Sequence, residues 1–206
     1  PDRFIVLAEQ IGMIVPLGSW VLQSACAQLS EWRASPATKD LTIAVNVSAR
    51  QFYRDDFVEE VASALERSAV DPRLLKLEIT ETLMLHDLAD ARNKVQLLRE
   101  IGVRTSIDDF GKGYSSLSYL AQLDVAELKI DRTFIWDLGS ARNDKARMIV
   151  DAIANLGARL GLTVCAEGVE TEQQFDFLKQ TGCQCFQGFF FGRPAPASAL
   201  SERIDG

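Results

Sequence analysis

Residues 106–117 read SIDDFGKGYSSL, and this stretch places two adjacent carboxylates, Asp108 and Asp109, between a predicted strand and a glycine-rich loop. Neighbouring aspartates repel each other, so at least one pKa rises unless a cation or hydrogen-bond donors offset the repulsion. A divalent metal ion offers that offset, because hard cations prefer carboxylates, carbonyls and waters as ligands. A solvated turn is the competing interpretation, since Asp-Asp before Phe-Gly is common in loops.

The composition is that of an ordinary globular protein of 206 residues, with 47% hydrophobic and 25% charged residues. This length suits a single α/β domain. The net charge of -7 argues against binding DNA or RNA polymers through a basic surface. No apolar run approaches the roughly 20 residues needed to span a bilayer, and no signal peptide opens the sequence as given. We therefore expect a cytoplasmic domain, whose parent protein could be attached to a membrane.

The sequence offers few histidine or cysteine side chains that could form a metal site or a catalytic triad. His86 is the only histidine, so a zinc site or a Ser-His-Asp triad is disfavoured. None of the four cysteines has C-x-x-C spacing, and Cys183 and Cys185 are too close together for a usual zinc knuckle. We expect free thiols and, for any metal, oxygen ligands.

Predicted strands and helices alternate along the chain. The strands are predicted at residues 41–45, 74–79, 103–107, 125–130, 163–166 and 185–186. The helices are predicted at residues 4–14, 17–32, 56–68, 88–101, 116–123, 144–160, 172–180 and 197–204. Such alternation is typical of right-handed parallel crossovers, which build either a doubly wound sheet or most of a barrel.

Polar residues at the strand ends decide between these two folds. Each lies at or just past the C-terminal end of a predicted strand: Asn46, Glu78, Asp108, Asp109, Lys129, Glu167 and Gln187. In a (β/α)8 barrel those ends converge on one mouth, whereas in an open sheet they spread along a line. A barrel is therefore favoured, because it brings these side chains to one ligand.

The carboxylates among these residues are suited to a two-metal site. Asn46, Glu78 and Asp108 could hold one Mg²⁺ or Mn²⁺, and Asp108, Asp109 and Glu167 could hold a second. Two ions about 4 Å apart would activate a water for in-line attack on a phosphodiester.

Lys129 could have either a catalytic or a purely structural role. Local structural roles are also open to Asn46, Gln187 and residues 189–191. Lys129 would either orient the attacking water or simply pair with a neighbouring acid inside the barrel. Asn46 and Gln187, taken singly, are more often local hydrogen-bonding residues than ligands. Residues 189–191, three consecutive phenylalanines, favour packing over a base-stacking surface.

Six motifs of this sequence resemble those of bacterial EAL domains and occur in the same order. They are NVSARQ at 46–51, EITET at 78–82, DDFG at 108–111, LKID at 128–131, AEGVET at 166–171 and QG at 187–188. The resemblance implies one EAL domain over residues 1–206, with an α/β, TIM-barrel-like (β/α)8 fold. It also implies a cyclic di-GMP phosphodiesterase that uses Mg²⁺ or Mn²⁺ and releases linear pGpG.

The resemblance further implies roles for individual residues. The implied metal ligands are Asn46, Glu78, Asp108, Asp109 and Glu167. The implied catalytic residues are Lys129, which contacts the catalytic water, Glu167 and Asp108. The implied substrate-binding residues are Gln187, Arg50 and Glu170. The implied loop-control residues are Glu81, Gly111, Lys112 and Gly113.

Two departures from the family pattern are visible. The sequence begins after the Glu-Ala-Leu motif, whose glutamate is a further ligand, so we expect a barrel incomplete at its N-terminus and an upstream segment in the parent protein. Lys112 stands where the family most often has threonine. The extra charge would either help to hold a phosphate or disturb the coupling of the loop to the metals.

Three hypotheses about function follow. The first is a metal-dependent cyclic di-GMP phosphodiesterase in a larger signalling protein. Its expected partners are a second copy in a homodimer and regulatory or GGDEF-type domains. The second is a catalytically inactive EAL receptor for cyclic di-GMP, which the absent upstream glutamate favours and the retained carboxylates disfavour. The third is an unrelated Mg²⁺ barrel enzyme acting on a carboxylate or enolate, with Lys129 as base.

Overall fold

The structure is a computed structural model that describes residues 2–112, 117–139 and 144–205. It divides into two compact units. The first comprises Pro1–Ile79, Ala89–Thr105 and Ala195–Gly206, and the second comprises Thr80–Leu88 and Ser106–Pro194. The expectation of a single domain over residues 1–206 stays a prediction.

Helices and strands alternate through the described residues. The helices are α1 (Asp2–Gln10), α2 (Ile14–Trp32), α3 (Ala49–Phe52), α4 (Phe57–Ser68), α5 (Glu81–His86), α6 (Leu88–Glu100), α7 (Leu117–Leu120), α8 (Arg132–Trp136), α9 (Asp144–Leu160), α10 (Glu172–Gln180) and α11 (Ala197–Asp205). The strands are β1 (Ile43–Asn46), β2 (Leu75–Thr80), β3 (Arg104–Phe110), β4 (Glu127–Ile130), β5 (Thr163–Glu167) and β6 (Cys185–Gln187). None of these helices combines the length and the apolar character that crossing a membrane requires.

In the first unit, β1 and β2 pair in parallel, and α2 packs against β1 and α4. The apolar face of α2 supplies buried residues such as Leu22 and Leu29, which is the helical periodicity expected of a core-facing helix. Gly18 allows α3 to approach α2 closely, because a Cβ there would lie 1.9 Å from the side-chain nitrogen of Gln51.

In the second unit, β3, β4, β5 and β6 pair in parallel in that order. Strand β4 is buried along its whole length, as a strand covered on both faces should be. Helix α9 packs on β4 and β5, and Gly157 permits this contact because a Cβ there would lie 2.3 Å from Val164 Cγ2. The carboxyl ends of β3, β4 and β5 therefore lie next to one another in strands that pair in parallel, and α9 packs against β4 and β5.

The predicted bounds of α9 and α10 are confirmed, but the paired aspartates lie elsewhere than expected. The sequence predicts that the strand ends at Ile107, whereas β3 continues to Phe110 and includes Asp108 and Asp109. Asp109 adopts a φ of 56°, and the register of β3 against β4 shifts between Ile107 and Phe110. The strand therefore tolerates two adjacent carboxylates through a local irregularity, a device that re-aims side chains next to functional sites.

Short helices were the other elements that the sequence pattern missed. The prediction of a loop at Glu81 was wrong: Thr80 accepts a hydrogen bond from Leu83 N–H and begins α5. Helix α8 was also missed, and Asp131 begins it by accepting a hydrogen bond from Thr133 N–H. Such caps favour a helix too short to show an apolar period.

Candidate functional site

Two predicted ligands of the first unit, Asn46 and Glu78, lie side by side. They are register partners at the carboxyl ends of β1 and β2, and Val47 N–H donates a 2.9 Å hydrogen bond to the Glu78 carbonyl. The Glu78 residue is buried and Asn46 is exposed. An amide oxygen and a carboxylate in neighbouring positions are chemically suited to a hard cation.

Arg50, a predicted substrate-binding residue, follows these strands on α3. Ser48 and Gln51 form a capping box there, in which each side chain satisfies the backbone N–H of the other. Arg50 itself is exposed. The cap fixes the start of the helix that carries this guanidinium.

The second unit holds a buried ammonium between two carboxylates. Lys129 Nζ lies 2.5 Å from Glu167 Oε1 and 3.4 Å from Asp108 Oδ1. The side chain of Lys129 is 2% exposed, and those of Asp108 and Glu167 are 13% and 17% exposed. Strands β3, β4 and β5 thus bring three of the predicted site residues together.

The register of β4, β5 and β6 explains how Lys129 and its neighbours are aligned. Lys129 pairs with Cys165, Cys165 pairs with Cys185, and Glu167 pairs with Gln187. Because side chains two residues apart on a strand share a face, the two thiols lie one layer behind Glu167 and Gln187. The pKa of the Cys165 thiol is raised mainly by its hydrogen bond with Cys185 and, to a smaller extent, by burial. The four cysteines are thiols, and none of them forms a disulfide.

Asp109, the second of the paired aspartates, forms an ion pair with Lys112. Lys112 Nζ lies 2.8 Å from Asp109 Oδ1 and 2.8 Å from Asp131 Oδ2. Asp108 Oδ1 accepts a 2.9 Å hydrogen bond from Asp109 N–H, which orients the first carboxylate. The structure thus gives Lys112 two carboxylate partners at the end of β3.

Burial and hydrogen bonding set the charges of this cluster. Burial raises the pKa of Asp109, and the hydrogen bond from Lys112 opposes that rise. Burial acts in the same direction on Asp131, but hydrogen bonds from Lys112 and Thr133 lower its pKa to about 2. Burial disfavours the charged form of Lys112, yet its hydrogen bonds to both carboxylates raise its pKa. Lys112 therefore stays a cation between the two acids.

Glu81 holds the backbone that follows the paired aspartates. Its Oε2 accepts a 3.2 Å hydrogen bond from Gly111 N–H, and its Oε1 accepts a 3.0 Å hydrogen bond from Tyr119 Oη. Burial and the nearby carboxylate raise the pKa of the Tyr119 phenol. Gly111 has a φ of 98°, and a Cβ there would lie 2.9 Å from the Phe134 ring. Gly113, the remaining predicted loop-control residue, lies outside the described residues.

The two other predicted substrate-binding residues are on the surface of the second unit. Gln187 is exposed at the end of β6, and Val169 N–H donates a 3.0 Å hydrogen bond to its carbonyl. Glu170 is exposed, and its backbone N–H donates to Gln174 Oε1 at 2.8 Å. Both side chains are exposed to solvent, and their predicted role in substrate binding stays a prediction.

Sequence reasoning missed two residues that support this site. Asp131 could have been noticed, because an aspartate directly after a predicted strand is a preferred N-cap residue for a following helix. Tyr119 carried no signal, since its contact with Glu81 spans 38 positions in the chain.

The donor atoms are chemically suited to a divalent metal. Carboxylate and amide oxygens are the ligands that Mg²⁺ and Mn²⁺ prefer. Within residues 2–112, 117–139 and 144–205, no three acidic, histidine or cysteine side chains form a ready-made metal centre. Lys129 and Lys112 instead neutralise the carboxylates of the second unit. A metal ion would take over a charge balance that lysines provide here.

Comparison with known sequences identifies relatives of the chain. The profile of the EAL domain family matches residues 1–194. The chain is 47% identical to the bifunctional diguanylate cyclase/cyclic di-GMP phosphodiesterase MucR of Pseudomonas aeruginosa, over 99% of this chain and 29% of MucR. It is 44% identical to the cyclic di-GMP phosphodiesterase NbdA of the same organism, over 98% of this chain and 25% of NbdA. The chain thus spans less than a third of these curated relatives.

Solved structures show the same fold. The PaMucR phosphodiesterase in complex with c-di-GMP matches with a TM-score of 0.93 and 46% identity, over 97% of this chain and 80% of that chain. The manganese/cyclic di-GMP complex of BlrP1 from Klebsiella pneumoniae matches with a TM-score of 0.78 and 28% identity, over 88% of this chain and 45% of that chain. These likenesses confirm the predicted α/β fold of the TIM-barrel type. The described residues supply six strands, whereas a complete (β/α)8 barrel has eight.

Proposed function

This chain belongs to the EAL domain family, and on that premise we propose that it is a divalent-metal-dependent phosphodiesterase that opens cyclic di-GMP to linear pGpG. MucR and NbdA, which are cyclic di-GMP phosphodiesterases, support the reaction. The manganese complex of BlrP1 supports the need for a divalent ion.

The observation that carries this proposal is the buried ammonium of Lys129 between Asp108 and Glu167. A buried lysine needs carboxylate partners to remain charged, and three neighbouring strands supply it with two. The same carboxylates are hard ligands, so the group combines a fixed cation with groups that bind metals. That combination suits the hydrolysis of an anionic phosphodiester better than proton abstraction next to a carboxylate.

The reaction adds one water across one phosphodiester bond. The water oxygen forms a bond to phosphorus, the bond from phosphorus to the ribose 3′-oxygen breaks, and that oxygen leaves with a proton. The product pGpG keeps its 5′-phosphate. Divalent ions, when bound, would supply Lewis acidity toward the phosphate and lower the pKa of the attacking water. The residues that we propose to hold them are Asn46, Glu78, Asp108, Asp109 and Glu167.

The remaining site residues orient the reactants. We assign Lys129 to donate a hydrogen bond to the attacking water, because its ammonium is held in one place by two carboxylates. Arg50, Glu170 and Gln187 are exposed and offer hydrogen bonds to the nucleotide. Glu81 holds Gly111 and thereby keeps Asp109 in its left-handed conformation.

The partners expected from the sequence stay proposals. These are a second copy in a homodimer and GGDEF-type or regulatory domains elsewhere in the parent chain. The much greater length of MucR and NbdA is consistent with further domains.

Chromatography of cyclic di-GMP after incubation with the chain and Mn²⁺ tests the proposed reaction. The wild-type chain should convert the substrate to pGpG, and EDTA should stop the conversion. Lys129→Met should slow it by about 10²-fold, because the attacking water loses the group that positions it. Asp108→Asn should have an effect of similar size, because it removes a ligand that the proposal requires.

Matched substitutions on exposed helix positions control for the loss of charge. Lys145→Met and Asp176→Asn alter exposed residues of α9 and α10 and should leave turnover unchanged. Rapid hydrolysis by Asp108→Asn would remove that residue from the ligand set. Tight binding of cyclic di-GMP without any cleavage by the wild-type chain would favour the receptor hypothesis. Metal binding without any binding of cyclic dinucleotide would refute both.

A further inference from the structure

Lys112 makes contacts that the proposed reaction does not use. Its ammonium bridges Asp109, a proposed metal ligand, and Asp131, the residue that caps α8. Lys112 Nζ lies 2.8 Å from a carboxylate oxygen of each residue, so the two acids share one cation. Lys112 therefore occupies the position in which this pair needs a positive charge.

The two ends of the bridge differ in burial. The Asp131 side chain is 2% exposed and also accepts a 2.9 Å hydrogen bond from Thr133 N–H. The Asp109 side chain is 42% exposed. Asp131 is thus fixed by its helix, whereas Asp109 can exchange its cation with solvent. The contact between Lys112 and Asp109 is the one that opens more easily.

We propose that Lys112 is an internal competitor for the divalent cation, holding Asp109 until a metal ion displaces it while Asp131 keeps the lysine attached. The inference rests on the proposed function only in taking Asp109 as a metal ligand. A divalent ion carries twice the charge of the ammonium and accepts several oxygen ligands, so it displaces the lysine once its concentration suffices. Lys112 thereby raises the metal concentration that the site requires.

Solvent limits the size of this competition. The side chains of Lys112 and Asp109 are 45% and 42% exposed, so water and salt screen their attraction. Exposed ion pairs of this kind contribute modestly, and we expect a change of about three- to tenfold in metal affinity.

A purely structural lysine predicts a different result. If Lys112 only tied the end of β3 to α8, a neutral residue would loosen that connection, and metal affinity would stay the same or fall. A competitor predicts that a neutral residue strengthens metal binding. Metal affinity measured without substrate therefore separates the two roles.

Titration with Mn²⁺, followed by the electron paramagnetic resonance signal of the free ion, tests this inference in the absence of nucleotide. Lys112→Gln keeps most of the side-chain length and removes the charge, so its dissociation constant for Mn²⁺ should fall about three- to tenfold. Lys112→Arg keeps a positive charge and should bind Mn²⁺ no more tightly than the wild-type chain. Lys145→Gln removes an exposed charge from α9 and should change nothing.

Unchanged or weaker Mn²⁺ binding by Lys112→Gln would overturn the inference, as would tighter binding by Lys112→Arg. Lys112→Thr makes the same test if the glutamine variant fails to fold, as judged by circular dichroism. Hydrolysis without the affinity shift would refute the role of Lys112 alone, whereas the shift without hydrolysis would refute the phosphodiesterase alone.

Discussion

Replacing Lys129 by methionine probes the charge balance of the second unit most directly. Methionine has a similar length and no charge, so the apolar packing of β4 is largely kept. The substitution leaves Asp108 and Glu167 without the ammonium that lies 3.4 and 2.5 Å from them. Two largely buried carboxylates then lose the cation that they share.

The size of the effect follows from burial. Removing one partner of a buried ion pair costs about 3–5 kcal/mol, because the remaining charge is left uncompensated. The two carboxylates retain 13% and 17% exposure, so we take the lower end, about 3 kcal/mol. For a chain of this size each kcal/mol shifts Tm by roughly 2–4 °C, so Tm should fall by about 6–12 °C.

Thermal unfolding followed by circular dichroism in EDTA measures this loss. Lys145→Met, on the exposed face of α9, is the matched control and should melt as the wild-type chain does. Adding Mn²⁺ should raise the Tm of Lys129→Met more than that of the wild-type chain, because the ion replaces the missing charge. A variant that melts within about 2 °C of wild type in EDTA would refute the reasoning.

Three further predictions concern the surroundings of the site. Gly111→Ala should lower the free energy of unfolding by at least about 1 kcal/mol more than Gly182→Ala, since both have positive φ but only the first would place its Cβ 2.9 Å from a ring. The pKa of Asp131 is about 2 in the folded chain, below its ordinary 3.8, so its contribution to stability is complete above about pH 4 and is lost as the pH falls through about 2. Asp131→Asn should therefore reduce the loss of unfolding free energy at low pH (the acid limb), as measured by urea unfolding across pH. Diamide should link Cys165 to Cys185, because these thiols are register partners and hydrogen-bonded, but only slowly, because hydrogen bonding and burial raise the pKa of Cys165 and so lower its thiolate fraction.

Each of these predictions has its own control. Asp176→Asn changes an exposed carboxyl and should keep the acid limb of the wild-type chain. Cys185→Ser should prevent the diamide cross-link, whereas Cys26→Ser should not. A Gly182→Ala variant as unstable as Gly111→Ala would mean that conformation alone, and not the nearby ring, makes Gly111 necessary.

The elements that the sequence predicted best are those with strong local signals. Helix α10 begins at the capping box of Thr171 and Gln174, and α9 ends before Gly161, whose φ is 71°. Local chemistry of this kind is legible in the sequence because each signal lies within a few residues of the helix end. The apolar period of β3 was interrupted by its own aspartates, so the strand appeared to end too early.

Contacts between residues distant in the sequence could not be predicted from the sequence. The pairing of Cys165 with Cys185 depends on strand register, and the bridge from Lys112 to Asp131 joins residues that are 19 positions apart. The sequence did present both interpretations of Lys129, and its pairing with acids is the one seen in the geometry. That all predicted strand-end residues meet at one mouth stays a prediction, since each unit is described by itself.

The two lysines of the second unit compensate carboxylates in different ways. Lys129 is 2% exposed, so its ammonium balances buried carboxylates, and its loss should lower the free energy of unfolding. Lys112 is 45% exposed, so its ammonium is a screened and replaceable cation. Neutralising the first should therefore cost more stability than neutralising the second, which should strengthen metal binding. If both substitutions destabilised the chain equally, burial would not be the property that separates the two lysines.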